Sequence, residues 1–277
     1  MTGRALISKP HNDLVIAALS VIGIAGFLWP LWSNTATSES LAHATDAPWL
    51  MVLMMPLLLA ATASALSERL LDAKAVAVLG VLAACGSALR LPTGGVAGTE
   101  LVFFLLLPAG RVFGRGFGFL LGTLTLFVSA AISGGIGPWL PFQMLGAAWV
   151  GYGAGLLPPL KGRAEVAAMA LYGTVASFVY GALLNLWFWP FGTNYGSGLS
   201  YVPSASLTSN LRAFWAFHLA TSLGWDLMRA VTLVTMCWVL GRPVLAALER
   251  AQRRGGFEAV ARFEPSEHEP PLSTNPR

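Results

Sequence analysis

Eight long apolar runs, separated by loops that alternate between rich and poor in lysine and arginine, leave this chain few possible folds. The runs are residues 14 to 32, 49 to 66, 73 to 90, 100 to 113, 116 to 134, 139 to 158, 164 to 190 and 213 to 241. Most approach the ~20 residues that carry a helix across hydrocarbon; the run 100 to 113 is short and is broken by Pro108. With 55% hydrophobic and 11% charged residues and a mean hydropathy of +0.65, the chain has too little polar surface to coat a soluble globule. The runs are continuously apolar, without the period-two alternation of a barrel strand, so a β-barrel is disfavoured and the helix remains as the structure that satisfies its own backbone in lipid. The expected fold is an all-α integral membrane protein.

Charge then orients it. Of 17 basic residues, 14 (Arg4, Lys9, Arg69, Lys74, Arg111, Arg115, Lys161, Arg163, Arg242, Arg250, Arg253, Arg254, Arg262 and Arg277) lie at the N-terminus, after even-numbered runs or in the C-terminal tail. The opposite loops hold only Arg90 and Arg212, and Arg229 lies inside a run. The positive-inside rule puts the rich side, with both termini, in the cytoplasm. Trp29, Trp32, Trp49, Trp139, Trp187, Trp189 and Trp215 fall at outer run ends, where an interfacial aromatic belt belongs. The net charge of +4 and pI of 9.4 therefore read as topology signals of a cell-membrane protein, not as a nucleic-acid surface.

Three parts are expected: an N-terminal transmembrane hairpin (1–66), a six-helix membrane domain (73–241), and a tail (242–277) that is first basic and then, from Glu264, proline-rich and disordered. Ala42-His43-Ala44 imitates a signal cleavage site, but run 14 to 32 exceeds a signal's apolar core and is read as a helix. Cys85 and Cys237 fall at different depths and are read as small buried hydrophobes.

Polar residues within apolar runs are the candidates for chemistry. In run 213 to 241, His218, Thr221, Ser222, Trp225, Asp226 and Arg229 share one broad helical face, a polar stripe descending from the outer surface. Asp226 and Arg229 are three apart and can pair, as a structural ion pair or as ligand contacts. Thr174, Ser177, Gly181 and Asn185 share a face of run 164 to 190, and the turn Gly134 to Gln143 sets Gln143 just inside the membrane. Arg90 and Glu100 flank a Gly-rich outer loop. Arg90, Glu100, Gln143, Asn185 and His218 thus converge on the outer third with Asp226 as a floor: a pocket open to the outside, or else polar residues satisfying helix ends. In run 73 to 90, Ala73, Ala77, Gly80, Ala84 and Ala88 leave one smooth face, suited to a close helix contact within the bundle or with another subunit; Gly118 and Gly122 make a second small-residue pair. No HExxH, GxSxG or metal-ligand spacing is present.

Several of these segments together resemble a known family. Ala88-Leu89-Arg90-Leu91-Pro92, Glu100-Leu101-Val102-Phe103-Phe104, Gly110-Arg111-Val112-Phe113-Gly114, Gly137 to Met144, Asn185-Leu186-Trp187-Phe188-Trp189-Pro190 and Trp225-Asp226 are similar to the substrate-binding S components of energy-coupling factor vitamin transporters, in an actinobacterial-type branch, over residues 73 to 241. The N-terminal hairpin departs from that family's six helices. The resemblance implies an ABC-type importer subunit, not an enzyme, that captures a micronutrient outside and releases it through a membrane scaffold subunit energised by two cytoplasmic ATPases. ATP would be used by those partners alone, with no metal and no bound cofactor in this chain. It also implies substrate contacts at Arg90, Gln143, Asn185, Trp187, His218, Trp225 and Asp226, to which the polar cluster adds Glu100 and Arg229, and scaffold docking by Ala73, Ala77, Ala84 and Ala88. A corrinoid, a flavin or a thiamin precursor would each suit an aromatic pocket edged by Trp187, Trp189 and Trp225. A membrane-embedded enzyme acting on a lipid or a lipid-linked substrate is the rival expectation, motivated by His218, Asp226 and Arg229; a structural membrane partner is a third, resting on the smooth alanine face alone.

Overall fold

Apolar runs become helices here because each must satisfy its own backbone, and their ends fall where glycine, proline or charge interrupts them. The computed structural model describes residues 10–32, 54–62, 73–90, 98–191, 195–196, 198–203 and 205–255. Among these residues every regular element is helical. In chain order they are α1 (Pro10–Phe27), α2 (Trp29–Trp32), α3 (residues 54–62), α4 (Ala73–Arg90), α5 (Val102–Phe113), α6 (Arg115–Ser133), α7 (Leu140–Ala154), α8 (Arg163–Phe188, extended by a 3-10 turn Trp189–Phe191), α9 (Leu207–Thr221) and α10 (Leu223–Gly255). Four are long and apolar enough to cross a membrane: Ala73–Arg90, Arg115–Ser133, Arg163–Phe191 and Leu223–Arg253. Leu14–Phe27 and Val102–Phe113 are apolar but shorter.

Two expected runs are not single helices. Run 14 to 32 breaks at Leu28, because Pro30 has no N–H to continue the ladder and its ring crowds the preceding turn. Run 213 to 241 is interrupted at Ser222 (φ −123°, ψ −13°). There the Thr221 hydroxyl bonds back to the Phe217 carbonyl at 2.8 Å and Gly224 follows two residues on; both weaken the helix locally. Beyond Ser222, α10 passes the expected boundary at 241/242 without interruption and ends at Gly255. The outer loop of the hairpin, the loop 63 to 72 and the tail from 256 lie outside the described residues.

The central helix is α7, apolar on every side, with Leu140, Phe142, Met144, Leu145, Ala147, Ala148 and Ala154 fully buried. Its closest neighbour is α6. A Cβ on Gly118 would overlap the Gly151 carbonyl and one on Gly151 the Gly118 carbonyl, while Gly122 faces the Ala147 carbonyl and Gly155 faces the backbone of Gly114 and Arg115. The two glycine-rich stretches thus run antiparallel in register, 114/118/122 against 155/151/147. Close backbone approach of this kind is how helices associate in lipid without a hydrophobic drive. The Gly118–Gly122 pair is therefore an internal joint.

By contrast the alanine face of α4 points away from the bundle. That helix buries Ala75, Leu79, Leu82, Ala83, Gly86 and Ser87, leaving Ala73, Ala77, Gly80, Ala84 and Ala88 exposed. Cys85 is exposed as well, against its expected burial, because it lies on this outward side, whereas Cys237 is buried as expected. At the N-terminal end α1 lies on α7 and α8: Trp149 Nε1 donates to Ser20 Oγ at 2.9 Å, and Phe27 packs on Phe142 with ring centroids 5.0 Å apart. At the C-terminal end of α5, Arg111 pairs with Glu165 at 3.0 Å and Gln252 Nε2 donates to the Val112 carbonyl at 3.1 Å, tying α5 to α8 and α10.

Candidate functional site

The polar residues within the helices collect into two groups. In the first, Arg90 ends α4, where a cation meets the negative end of the helix dipole. Its Nη1 donates to Ser129 Oγ at 2.9 Å and its Nη2 to Gln143 Oε1 at 3.0 Å. Arg90 thereby ties α4 to α6 and α7.

The second group is organised around Arg229, 6% exposed on α10. Its Nε donates to Glu100 Oε2 at 2.9 Å, and its Nη1 to Asp226 Oδ1 at 2.8 Å and to the Ser177 carbonyl at 3.1 Å. The guanidinium carbon also lies 5.2 Å from the Tyr180 ring centre and 5.8 Å from that of Phe103, so the cation is held by two carboxylates, a carbonyl and two π faces. Taking such charges out of water is costly, and only partners of this number and geometry offset the penalty. The i,i+3 spacing expected to pair Asp226 with Arg229 does so; the reach of Arg229 to Glu100, 129 residues away, is a tertiary fact.

Asp226, 1% exposed, connects this group to a neutral chain of hydrogen bonds. His218 Nε2 faces Asp226 Oδ2 at 3.4 Å, too long for a full hydrogen bond. His218 Nδ1 accepts from Asn185 Nδ2 at 2.9 Å, which also donates to Ser222 Oγ at 2.5 Å. With Nδ1 as acceptor, the ring proton sits on Nε2, toward Asp226. Along a straight helix His218 and Asp226 would stand ~12 Å apart in rise; the interruption at Ser222 lets them meet, and Asn185 crosses from α8 to hold both sides of it. Room for Asp226 is made by Gly181, where a Cβ would strike Asp226 Oδ1. Near the same point Gly98 (φ +78°) sits against the Trp225 carbonyl, closer than any side chain would allow.

Beside Asn185 an open groove of about 710 Å³ is lined by Pro138, Trp139, Leu184, Asn185, Trp187 and Phe188. It lies between the start of α7 and the end of α8, the ends that the loop charges place outside. Of the residues expected to contact a ligand, Asn185 and Trp187 line it. Trp187 is pinned by Phe142 at 4.8 Å and Phe191 at 5.8 Å between ring centroids. His218, Asp226, Arg229 and Glu100 stand behind Asn185, and Arg90 and Gln143 form the separate group. Trp225 is 44% exposed and lines no part of the groove. Trp189 is fully buried in a second apolar cluster with Phe214 and Phe217, its indole N–H given to the Leu199 carbonyl at 2.7 Å, so it is not at the pocket edge. Trp139, read from sequence only as an interfacial belt residue, is a groove wall. Ser129, Tyr180 and Phe103 were also missed; no motif marks a hydroxyl or ring that acts across helices. Among the described residues no group of three metal-ligating side chains occurs.

Compared with protein-family models, curated proteins and solved structures, the chain matches none.

Proposed function

We propose that the chain is a substrate-capturing membrane subunit of the energy-coupling factor type, binding a micronutrient from the outer side and passing it inward when docked to a membrane scaffold and two ATPases. The observation that carries the reading is the groove of about 710 Å³ at the outer ends of α7 and α8, within the size range of small-molecule sites. Three of its six lining residues are aromatic, and its polar member, Asn185, is backed by His218 and the Arg229 ion cluster. The exposed alanine face of α4 supports docking to a scaffold helix, since Ala73, Ala77, Ala84 and Ala88 are exposed among the described residues. In this reading α4 to α8, followed by α9 and α10 as one bent path, form the six-helix body, and α1 to α3 belong to the added hairpin. Both termini are cytoplasmic. The substrate is vitamin-like, and a corrinoid remains within the proposal.

Purification of the whole chain with its membrane partners, followed by mass spectrometry of small molecules released on denaturation, tests this. A vitamin-class compound together with a scaffold subunit and ATPases is expected. Absence of all three would sink the proposal.

A second reading, an enzyme acting on a lipid-linked substrate, draws on the His218–Asp226 contact of 3.4 Å. Turnover that is lost in Asp226→Asn but persists in membranes lacking the ATPases would favour it.

A further inference from the structure

From the polar inventory of the groove, we infer that its ligand is a neutral, planar nitrogen heterocycle that presents an N–H donor to Asn185. This rests on the capture reading and narrows what is captured. Among the described residues no ionisable side chain lines the groove: its walls are Pro138, Trp139, Leu184, Trp187 and Phe188, with Asn185 between them. Nearby charges are already engaged. Arg90 is spent on Ser129 and Gln143, and Arg229 on Glu100 and Asp226. With no charged side chain among the described lining residues, a charged ligand would bring its charge against an apolar wall, the costliest kind of burial.

The hydrogen-bonding sense follows from Asn185 itself. Both amide hydrogens are committed, one to His218 Nδ1 and one to Ser222 Oγ. The amide group therefore offers only its oxygen, and the complementary ligand atom is a donor. Asn185 Oδ1 is the side-chain acceptor among the groove's lining residues, beside the indole N–H groups of Trp139 and Trp187, and an analogue lacking the donor leaves that acceptor unpaired. Planarity follows from the walls. Trp139 is 44% and Phe188 41% exposed, leaving ring surface open at the mouth, while Trp187 is held by Phe142 and Phe191. Aromatic faces fixed in this way favour a flat ring system over a flexible chain.

Four fluorescent tricycles of equal size test the inference on the purified full-length protein in detergent: acridone (neutral, one ring N–H), N-methylacridone (neutral, no N–H), acridine-9-carboxylate and N-methylacridinium. Fluorescence titration is expected to rank acridone first, with N-methylation weakening binding about tenfold or more, as loss of one buried hydrogen bond requires. Asn185→Leu should abolish the difference between acridone and its N-methyl form. Trp139→Ala, at an exposed ring, should weaken both equally while leaving thermal stability unchanged. Equal binding of the two neutral tricycles, preference for either ion, or binding of none of the four would each overturn the inference. So would a phospholipid acyl chain as the occupant recovered by mass spectrometry. A charged vitamin copurifying with the scaffold would overturn this ligand class and leave the capture reading standing; no copurifying ligand and no partner subunits would remove both.

Discussion

Arg229→Gln should be the most damaging single change in the polar core. The guanidinium bonds Glu100, Asp226 and the Ser177 carbonyl and lies against Tyr180 and Phe103. Removing its charge strands the Asp226 carboxylate, 1% exposed, in a low-dielectric interior. Breaking a buried pair from one side costs about 3–5 kcal/mol, roughly two to three and a half powers of ten in the folding equilibrium. Asp226→Asn is milder, about 1–3 kcal/mol, because Arg229 keeps Glu100 and the carbonyl and only one charged hydrogen bond is weakened. Glu100→Gln is milder still, about 0–1 kcal/mol, since the Glu100 side chain is 29% exposed and water reaches it. The double variant Arg229→Gln/Asp226→Asn should be more stable than Arg229→Gln alone by about 2 kcal/mol, because the stranded charge is gone. Reversible denaturant unfolding in mixed micelles, followed by circular dichroism, measures all four. If Asp226→Asn costs as much as Arg229→Gln, or if the double variant shows simple additivity, Arg229 is not the hub described.

Further outcomes follow from the same geometry. Gly118→Ala or Gly151→Ala should destabilise by about 1–3 kcal/mol, since the new Cβ meets a backbone carbonyl on the facing helix, whereas Gly80→Ala, with open space around it, should leave the unfolding midpoint unchanged. Trp149→Phe should cost about 0.5–1.5 kcal/mol through the lost bond to Ser20 and raise proteolytic cleavage between the hairpin and the body in a timed digest. The capture proposal assigns the α4 face and the groove to different steps, so on it Ala84→Leu should leave ligand affinity intact and block vesicle uptake; equal loss of both would contradict that division. A membrane-permeant maleimide should label Cys85 and spare the buried Cys237, and assembly with the scaffold should protect Cys85.

Much of the fold was legible one helix at a time. Run 73 to 90 coincides with α4, and run 116 to 134 lies within one residue of α6 at each end, because a helix in lipid depends chiefly on its own apolar length. The bend at Ser222 was less legible: its Thr-Ser hydroxyls and Gly224 stand in plain view, yet their effect depends on Asn185 of another helix engaging Ser222 and His218. The Asp226–Arg229 pair follows from three-residue spacing, but Glu100–Arg229 and Arg90–Gln143 do not, since no local periodicity relates residues 129 or 53 positions apart. The structure sorts the candidate ligand residues into a groove pair, Asn185 and Trp187, an ion cluster around Arg229, and a separate Arg90–Gln143 group.

What the sequence determined by itself is the all-helical class, the small-residue faces and which side of each apolar run is polar, because hydrophobic length and periodicity are local properties. Tertiary structure alone decided which small face is a joint and which is free. Gly118 and Gly122 close on α7, whereas Ala77 and Ala84 are exposed among the described residues. It also decided that Asn185 is both the groove's polar wall and the link to the ion cluster, since that depends on where α8 crosses the bend between α9 and α10. Such crossings are set by the close packing of all the helices at once.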